Sequence, residues 1–342
     1  MIWLTWRQHR GQFLLVFAIL AVVTAVMVPI GLRLRRAFAE SGLADCTAAL
    51  SPSVLNGSGP ADPAAIECAR LAEEFNFLYG MQGVIGLVLP VLVPLAFGVV
   101  IGTQLVGDDA DHGTHRLVWT QGVTRNRWLA TKFGLVAAVA AVFAAAVSAL
   151  EHWYSMPIVR SGAGRILLTD VLGATPVAYA LFAVALGLFT GAMWRKVPPA
   201  VAATLFGFMV VRLAVRSARP HFIAPLERRL KVFWDPAEIE FGSPYWLRLN
   251  GDWDLGQGMY DEAGRLVNDT GMRTCPSPLP ADTTFVEQGC DGNPAFPKVD
   301  YNIMLYHPDS RFWTFQLIEI AIFLGLTVLL AILTVRRVSR LT

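Results

Sequence analysis

Six apolar stretches, all but the fifth about long enough to cross a membrane before meeting a charge, constrain this chain more than any other feature of it. They are Phe13–Leu32, Phe75–Val106, Phe133–Leu150, Val171–Trp194, a run starting at Pro199, and Phe312–Val335. A helix needs about 20 mostly apolar residues to cross ~30 Å of hydrocarbon. Inside lipid, backbone N–H and C=O groups must be satisfied within the segment itself, which favours helices. Composition agrees, with 54% hydrophobic and only 16% charged residues, where soluble domains carry roughly a quarter charged. A formal net charge of +2 is too small for nucleic-acid binding, which needs a concentrated basic face. The expected class is an all-α membrane protein of six spans in contact with lipid.

Met1–Gln12 places Trp3 and Trp6 beside Arg7 and Arg10, a mixture suited to a headgroup layer. A short interfacial helix over residues 1–12 is expected. Ala37-Phe38-Ala39 resembles a signal-peptidase site. However, Phe13–Leu32 exceeds the 7–15 residues of a signal h-region, and Arg33, Arg35 and Arg36 precede that site, so an uncleaved span is the reading. Spans one to five then fill residues 13–219, with a polar loop at 33–74 and a second at 107–132. Pro90 and Pro94 predict a kink in the second span. Arg195-Lys196-Val197-Pro198-Pro199 reads as a tight basic turn. Residues 220–311 form a separate polar domain, and 312–342 are the sixth span and tail.

Six spans put both termini on one side. Near span ends that side holds Arg7, Arg10, Arg116, Arg125, Arg127, Lys132, Arg195, Lys196, Arg336, Arg337 and Arg340. The other side holds Arg33, Arg35, Arg36, Arg160, Arg165, Arg212, Arg216 and Arg219, so the positive-inside rule favours cytoplasmic termini by a small margin. The cysteines point the same way. Cys46 and Cys68 lie in the first external loop, and Cys275 and Cys290 in the large one. Even numbers within loops are what an oxidising compartment yields. Bridges Cys46–Cys68 and Cys275–Cys290 are expected, each closing roughly twenty residues and stabilising by about 3 kcal/mol. No Cys-x-x-Cys pair supports a metal site instead.

The domain at 220–311 is rich in aromatics, which suit the packing of a small core better than a ligand surface. Met259–Val267 reads as two short strands around a turn, and Ala224–Lys231 as the start of a helix. Four ionisable residues fall in or beside spans: Glu151, Asp170, Arg212 and Glu319. A charge in hydrocarbon costs ~2.5–3.5 kcal/mol on insertion scales, so partners are expected. Glu319 is placed facing the bundle interior, paired with Arg212; structural and functional roles for it are evenly matched.

Gly107–Lys132 is a polar island between the second and third spans. It starts acidic, turns at Gly113-Thr114, and becomes a basic amphipathic segment running into the next span. Asp108, Asp109, Asp111, His112 and His115 match no zinc spacing and read as a solvated turn; no metal is assigned. No Gly-x-x-x-x-Gly-Lys-Ser/Thr loop occurs in the chain, so no nucleotide is hydrolysed by that route, and no catalytic constellation is visible.

The acidic residue before Gly113-Thr114, followed by Leu117, Thr120, Gly122-Val123, Arg125 and Lys132, resembles the cytoplasmic loop of type-2 ABC exporter permeases. Asp109 or Asp111 takes the acidic position, where that family usually carries Glu. The six spans with an N-terminal interfacial helix are similar as well. Tyr306 to Glu319 (Tyr-x-Pro-x-Ser-Arg-Phe-Trp-x-Phe-Gln-x-x-Glu) looks like a bacterial subset with a large fifth loop. The resemblance implies a non-enzymatic transport subunit in the bacterial cytoplasmic membrane. It implies a second permease copy, two ABC ATPase subunits holding ATP and Mg, and a coupling helix at 107–132. The alternative is a membrane sensor or resistance protein whose external domain binds a ligand without transport.

Overall fold

The computed structural model describes residues 2–49, 64, 67–79, 97–103, 125–162, 164–194, 196–231, 251–268 and 301–339. Its helices are α1 (Ile2–Glu40), α2 (Leu43–Ala49), α3 (67–79), α4 (Arg125–Arg160), α5 (Thr175–Trp194), α6 (Val197–Ala218) and α7 (Phe312–Ser339), with a π-helical turn at Phe97–Gly102. Among the described residues, five helices are long and apolar enough to cross a membrane: Leu14–Glu40, Leu129–Arg160, Thr175–Trp194, Val197–His221 and Asp309–Val338. The remaining expected span, Phe75–Val106, is described only at 75–79 and 97–103.

Helix α5 is the centre of the bundle. Its most apolar stretch is 67% buried, against 22–33% in the other four spans. A helix apolar on all sides belongs inside. Lipid tails are as apolar as leucine, so spans associate by close packing of small residues rather than by hydrophobicity. Gly187 and Gly191 supply that contact from α5, and Gly98 from the π turn. A Cβ on Gly187 would stand 2.2 Å from the Gly98 carbonyl oxygen, and one on Gly191 2.6 Å from that of Thr103. The wide turn is closed by the Thr103 N–H, which donates to the Gly98 carbonyl at 3.1 Å.

Helix α1 is unbroken from Ile2 to Glu40, so the interfacial helix expected at 1–12 is not a separate element. Nothing stops it, because its one proline is Pro29. Helix α4 runs past the expected end at Leu150 to Arg160, taking Glu151–Tyr154 into the helix. The two pack where Gly31 meets the rings of Trp153 and Tyr154. Arg35 donates to the Trp153 carbonyl at 2.7 Å and lies 4.8 Å over its ring.

Cys46 and Cys68 form a disulfide with Cα atoms 5.7 Å apart. It staples α2 to the first turn of α3, beside a cluster of Leu34, Phe38, Leu43, Ala72 and Phe75. The expected Cys275–Cys290 bridge lies outside the described residues.

Between α6 and α7 the chain builds a four-stranded antiparallel sheet. Its strands are β1 (Leu226–Lys231), β2 (Trp253–Tyr260), β3 (Leu266–Asn268) and β4 (Tyr301–His307), in the order β1-β4-β2-β3. The two strands expected around Met259–Val267 are β2 and β3. The helix expected from Ala224 is instead β1, which pairs along its whole length with β4, Leu226 opposite Tyr306 and Lys231 opposite Tyr301. A distant ladder partner overrides local preference here. The sheet rests on the membrane body through Trp253, Phe222 and Ile223, which pack on Ile166, Val171, Leu172, Phe312 and Phe315.

Candidate functional site

The sheet-bearing ends of α5, α6 and α7 enclose a cluster of charges. Arg212, Arg216 and Arg219 are spaced about one turn apart, so α6 and the turn after it carry three guanidiniums on one side. Asp170 lies in the turn before α5, Tyr179 one turn into α5, and Glu319 two turns into α7. Asp170, Arg212, Arg219 and Glu319 are all buried, whereas the Arg216 side chain is 63% exposed.

Arg219 is the bridge. Its Nη2 donates to Asp170 Oδ1 and, at 3.0 Å, to Glu319 Oε1. Arg212 Nη2 and Arg216 Nη1 each stand 3.4 Å from Asp170, at Oδ1 and Oδ2 respectively. The Tyr179 hydroxyl donates to Glu319 Oε1 and lies 3.2 Å from Asp170 Oδ1. Burial pushes the Asp170 carboxyl up, but Arg219, Arg212 and Arg216 outweigh it and hold it below its ordinary value. Glu319 Oε2, Arg212 Nη1 and Arg219 Nε are buried without a hydrogen-bond partner.

Glu319 faces the bundle interior as expected, but its cation is Arg219 rather than Arg212. The Arg212 guanidinium lies 4.4 Å over the Tyr179 ring, and there it reaches Asp170. Glu151 is buried in α4 but outside this cluster, with Oε1 unpartnered. Asp109, Asp111, Gly113, Thr114, Leu117 and Thr120 lie outside the described residues. Arg125 opens α4, and Lys132 is buried on it two turns later. A single helix thus joins that end of the expected coupling segment to the third span.

Three further side chains fasten the same region. Gln316, one turn before Glu319, caps α5 from α7. Its Oε1 accepts the N–H groups of Ala174 and Thr175, both at 3.1 Å, and the Thr175 hydroxyl. Its Nε2 donates to the carbonyls of Leu172 at 2.8 Å and Thr169 at 3.3 Å. Helix N-termini leave unsatisfied donors, and here a side chain from another span satisfies them. Gly173, at φ +76°, leaves room for this carboxamide, since a Cβ there would lie 2.7 Å from Oε1.

Asp309 accepts the Arg165 backbone N–H at 3.1 Å and its Nε at 2.7 Å. Buried His307 contacts the Pro220 carbonyl through Nε2 and Arg311 Nη1 through Nδ1, both at 3.1 Å. That pairing requires the neutral Nε2–H tautomer, because the guanidinium can only donate. Burial pushes the His307 pKa down, and the Arg311 charge adds to the shift.

The sequence exposed the charges but not Tyr179, Gln316 or the bridging role of Arg219. Gln316 and Glu319, three residues apart in the Tyr306–Glu319 pattern, were the available signal, because that spacing puts both on one helix face. The cluster contains no nucleophile paired with a base; its chemistry is that of a charge lock. Among the described residues, no group of His, Cys, Asp or Glu could hold a metal ion.

Residues 17–219 match the model of a family described as ABC-2 membrane transporter related. That stretch reaches from within α1 to the end of α6. No curated protein and no solved structure matches the chain.

Proposed function

The chain belongs to the ABC-2 membrane transporter related family, and from that premise we propose that it is the permease subunit of an ATP-driven exporter. Members of this family are multi-pass membrane transport subunits that generally work with ABC ATPase partners. In this reading two copies of the chain enclose the translocation path. Two separate ATPase subunits, holding ATP and Mg, seat the 107–132 loop of each copy. The observation that carries the reading is the family match, which over residues 17–219 takes in four of the five described spans and the 107–132 loop.

The physical form of α4 supports it. A push delivered near Arg125 would travel along one continuous helix to Arg160, as a rigid-body displacement rather than a local deformation. The charge lock and the Gln316 cap hold the sheet-side ends of α5, α6 and α7 together, so these spans would shift as a unit. In this reading the 107–132 loop and both termini lie in the cytoplasm and the sheet outside, an orientation that the Cys46–Cys68 disulfide supports.

Purification from its native membrane tests the reading. An ATP-hydrolysing subunit in equal amount is the expected companion. A chain that purifies without one, yet binds a ligand through its sheet domain, would favour the sensor alternative.

A further inference from the structure

The outward face of α6 ends in a charge. Its inward face is Ala200, Thr204, Phe208 and Arg212, all buried. On the opposite side Phe206 is 73% exposed, Met209 39% and Leu213 57%. Arg216 follows at the same helical spacing (i, i+3, i+7, i+10), at the border between this stripe and the side that carries Arg212 and Arg219, with its side chain 63% exposed. Ten residues of helix rise ~15 Å, about half of a ~30 Å hydrocarbon core. The stripe is therefore one leaflet long and carries its cation at the headgroup end.

Arg216 is also the least committed member of the charge lock. Three guanidiniums face two carboxylates, Asp170 and Glu319. Arg219 bridges both, and buried Arg212 reaches Asp170 while keeping an unpartnered Nη1. Among the described residues, Arg216 is paired with Asp170 alone, at Oδ2 and 3.4 Å. The surplus positive charge thus sits on the exposed arginine, beside the lipid-length apolar stripe.

We propose that this face of α6 is a binding site for one anionic phospholipid of the sheet-side leaflet, with its phosphate on Arg216 and an acyl chain along Leu213, Met209 and Phe206. The bound phosphate supplies the missing negative charge. Arg216 then joins the lipid to Asp170, and through Asp170 to the junction of α5, α6 and α7. The proposal needs only a membrane around the chain and does not depend on its being an exporter.

Native mass spectrometry of the purified chain, delipidated and titrated with phosphatidylglycerol or phosphatidylcholine, tests this. Wild type should retain phosphatidylglycerol preferentially. Arg216→Gln should weaken that retention roughly five-fold, the weight of one basic residue at an anionic surface, whereas Arg216→Lys should keep most of it. Leu213→Asn should lower retention of both lipids. Equal retention of the two lipids by wild type, or undiminished phosphatidylglycerol binding in Arg216→Gln, would overturn the proposal. So would disulfide dimers of Met209→Cys in native membranes, since a second copy would then occupy the face. A free phosphate site without lipid specificity would show as inorganic phosphate competing phosphatidylglycerol off, which also counts against it.

Discussion

Arg219 and Glu319 show what a charge inside a span requires. Breaking a buried ion pair from one side leaves the other charge uncompensated, at a cost of about 3–5 kcal/mol. Arg219→Met removes the one cation that touches both carboxylates, and should lower the melting temperature in detergent far more than Arg216→Met. Glu319→Gln keeps an acceptor for the Tyr179 hydroxyl and should fall between the two; equal melting of all three would show that the cluster is not a lock. His307 gives a pH dependence of known sign. Its folded pKa lies below the unfolded value of roughly 6.5, so the unfolded state binds the proton more readily. The stability it contributes is complete above that value and is lost as pH falls through it toward the folded pKa. Protection factors of the β4 amides, corrected for the intrinsic exchange rate, should therefore fall below about pH 6.5 in the wild type, and His307→Gln should abolish that added dependence. At this scale the charges were legible in the sequence and their partners were not. The choice of Arg219 over Arg212 depends on where the Tyr179 ring lies, which no spacing within α6 reveals.

Elements were read better than single contacts, and the errors have causes. Apolar length located the five described spans. It placed the third span's end at Leu150, because Glu151 and His152 interrupt the hydropathy, whereas the helix continues as far as its backbone allows. β1 is not legible from its own residues because its pairing comes from β4, far along the chain. The glycine contact between α5 and the π turn was not foreseen, since a glycine in an apolar run gives no sign of what approaches it. Gly187→Val tests that contact. The added atoms would strike the Gly98 carbonyl, and overpacking of this kind costs typically 1–3 kcal/mol, readable as a lower melting temperature than that of Gly134→Val, where a Cβ meets nothing within 4 Å. The same scale carries the coupling prediction. Gly113→Pro or Arg125→Glu should leave the ATPase active but transport strongly reduced; transport at the wild-type rate in both variants would remove the loop from the mechanism.

Across the whole molecule, a helical bundle built around α5 carries a small sheet fastened at one end by Asp309, His307 and the packing around Phe315. The family is one of membrane transport subunits. In the proposed mechanism, force enters this chain from a separate ATPase at residues 107–132. A photo-cross-linking amino acid in place of Leu117, activated in native membranes, measures this most directly. The expected product is a cross-link to a nucleotide-hydrolysing subunit, lost when the probe is moved to Leu266 in the sheet. A Leu117 probe that captures only lipid, or a Leu117→Cys thiol that is labelled by an impermeant maleimide added from the outside, would contradict it.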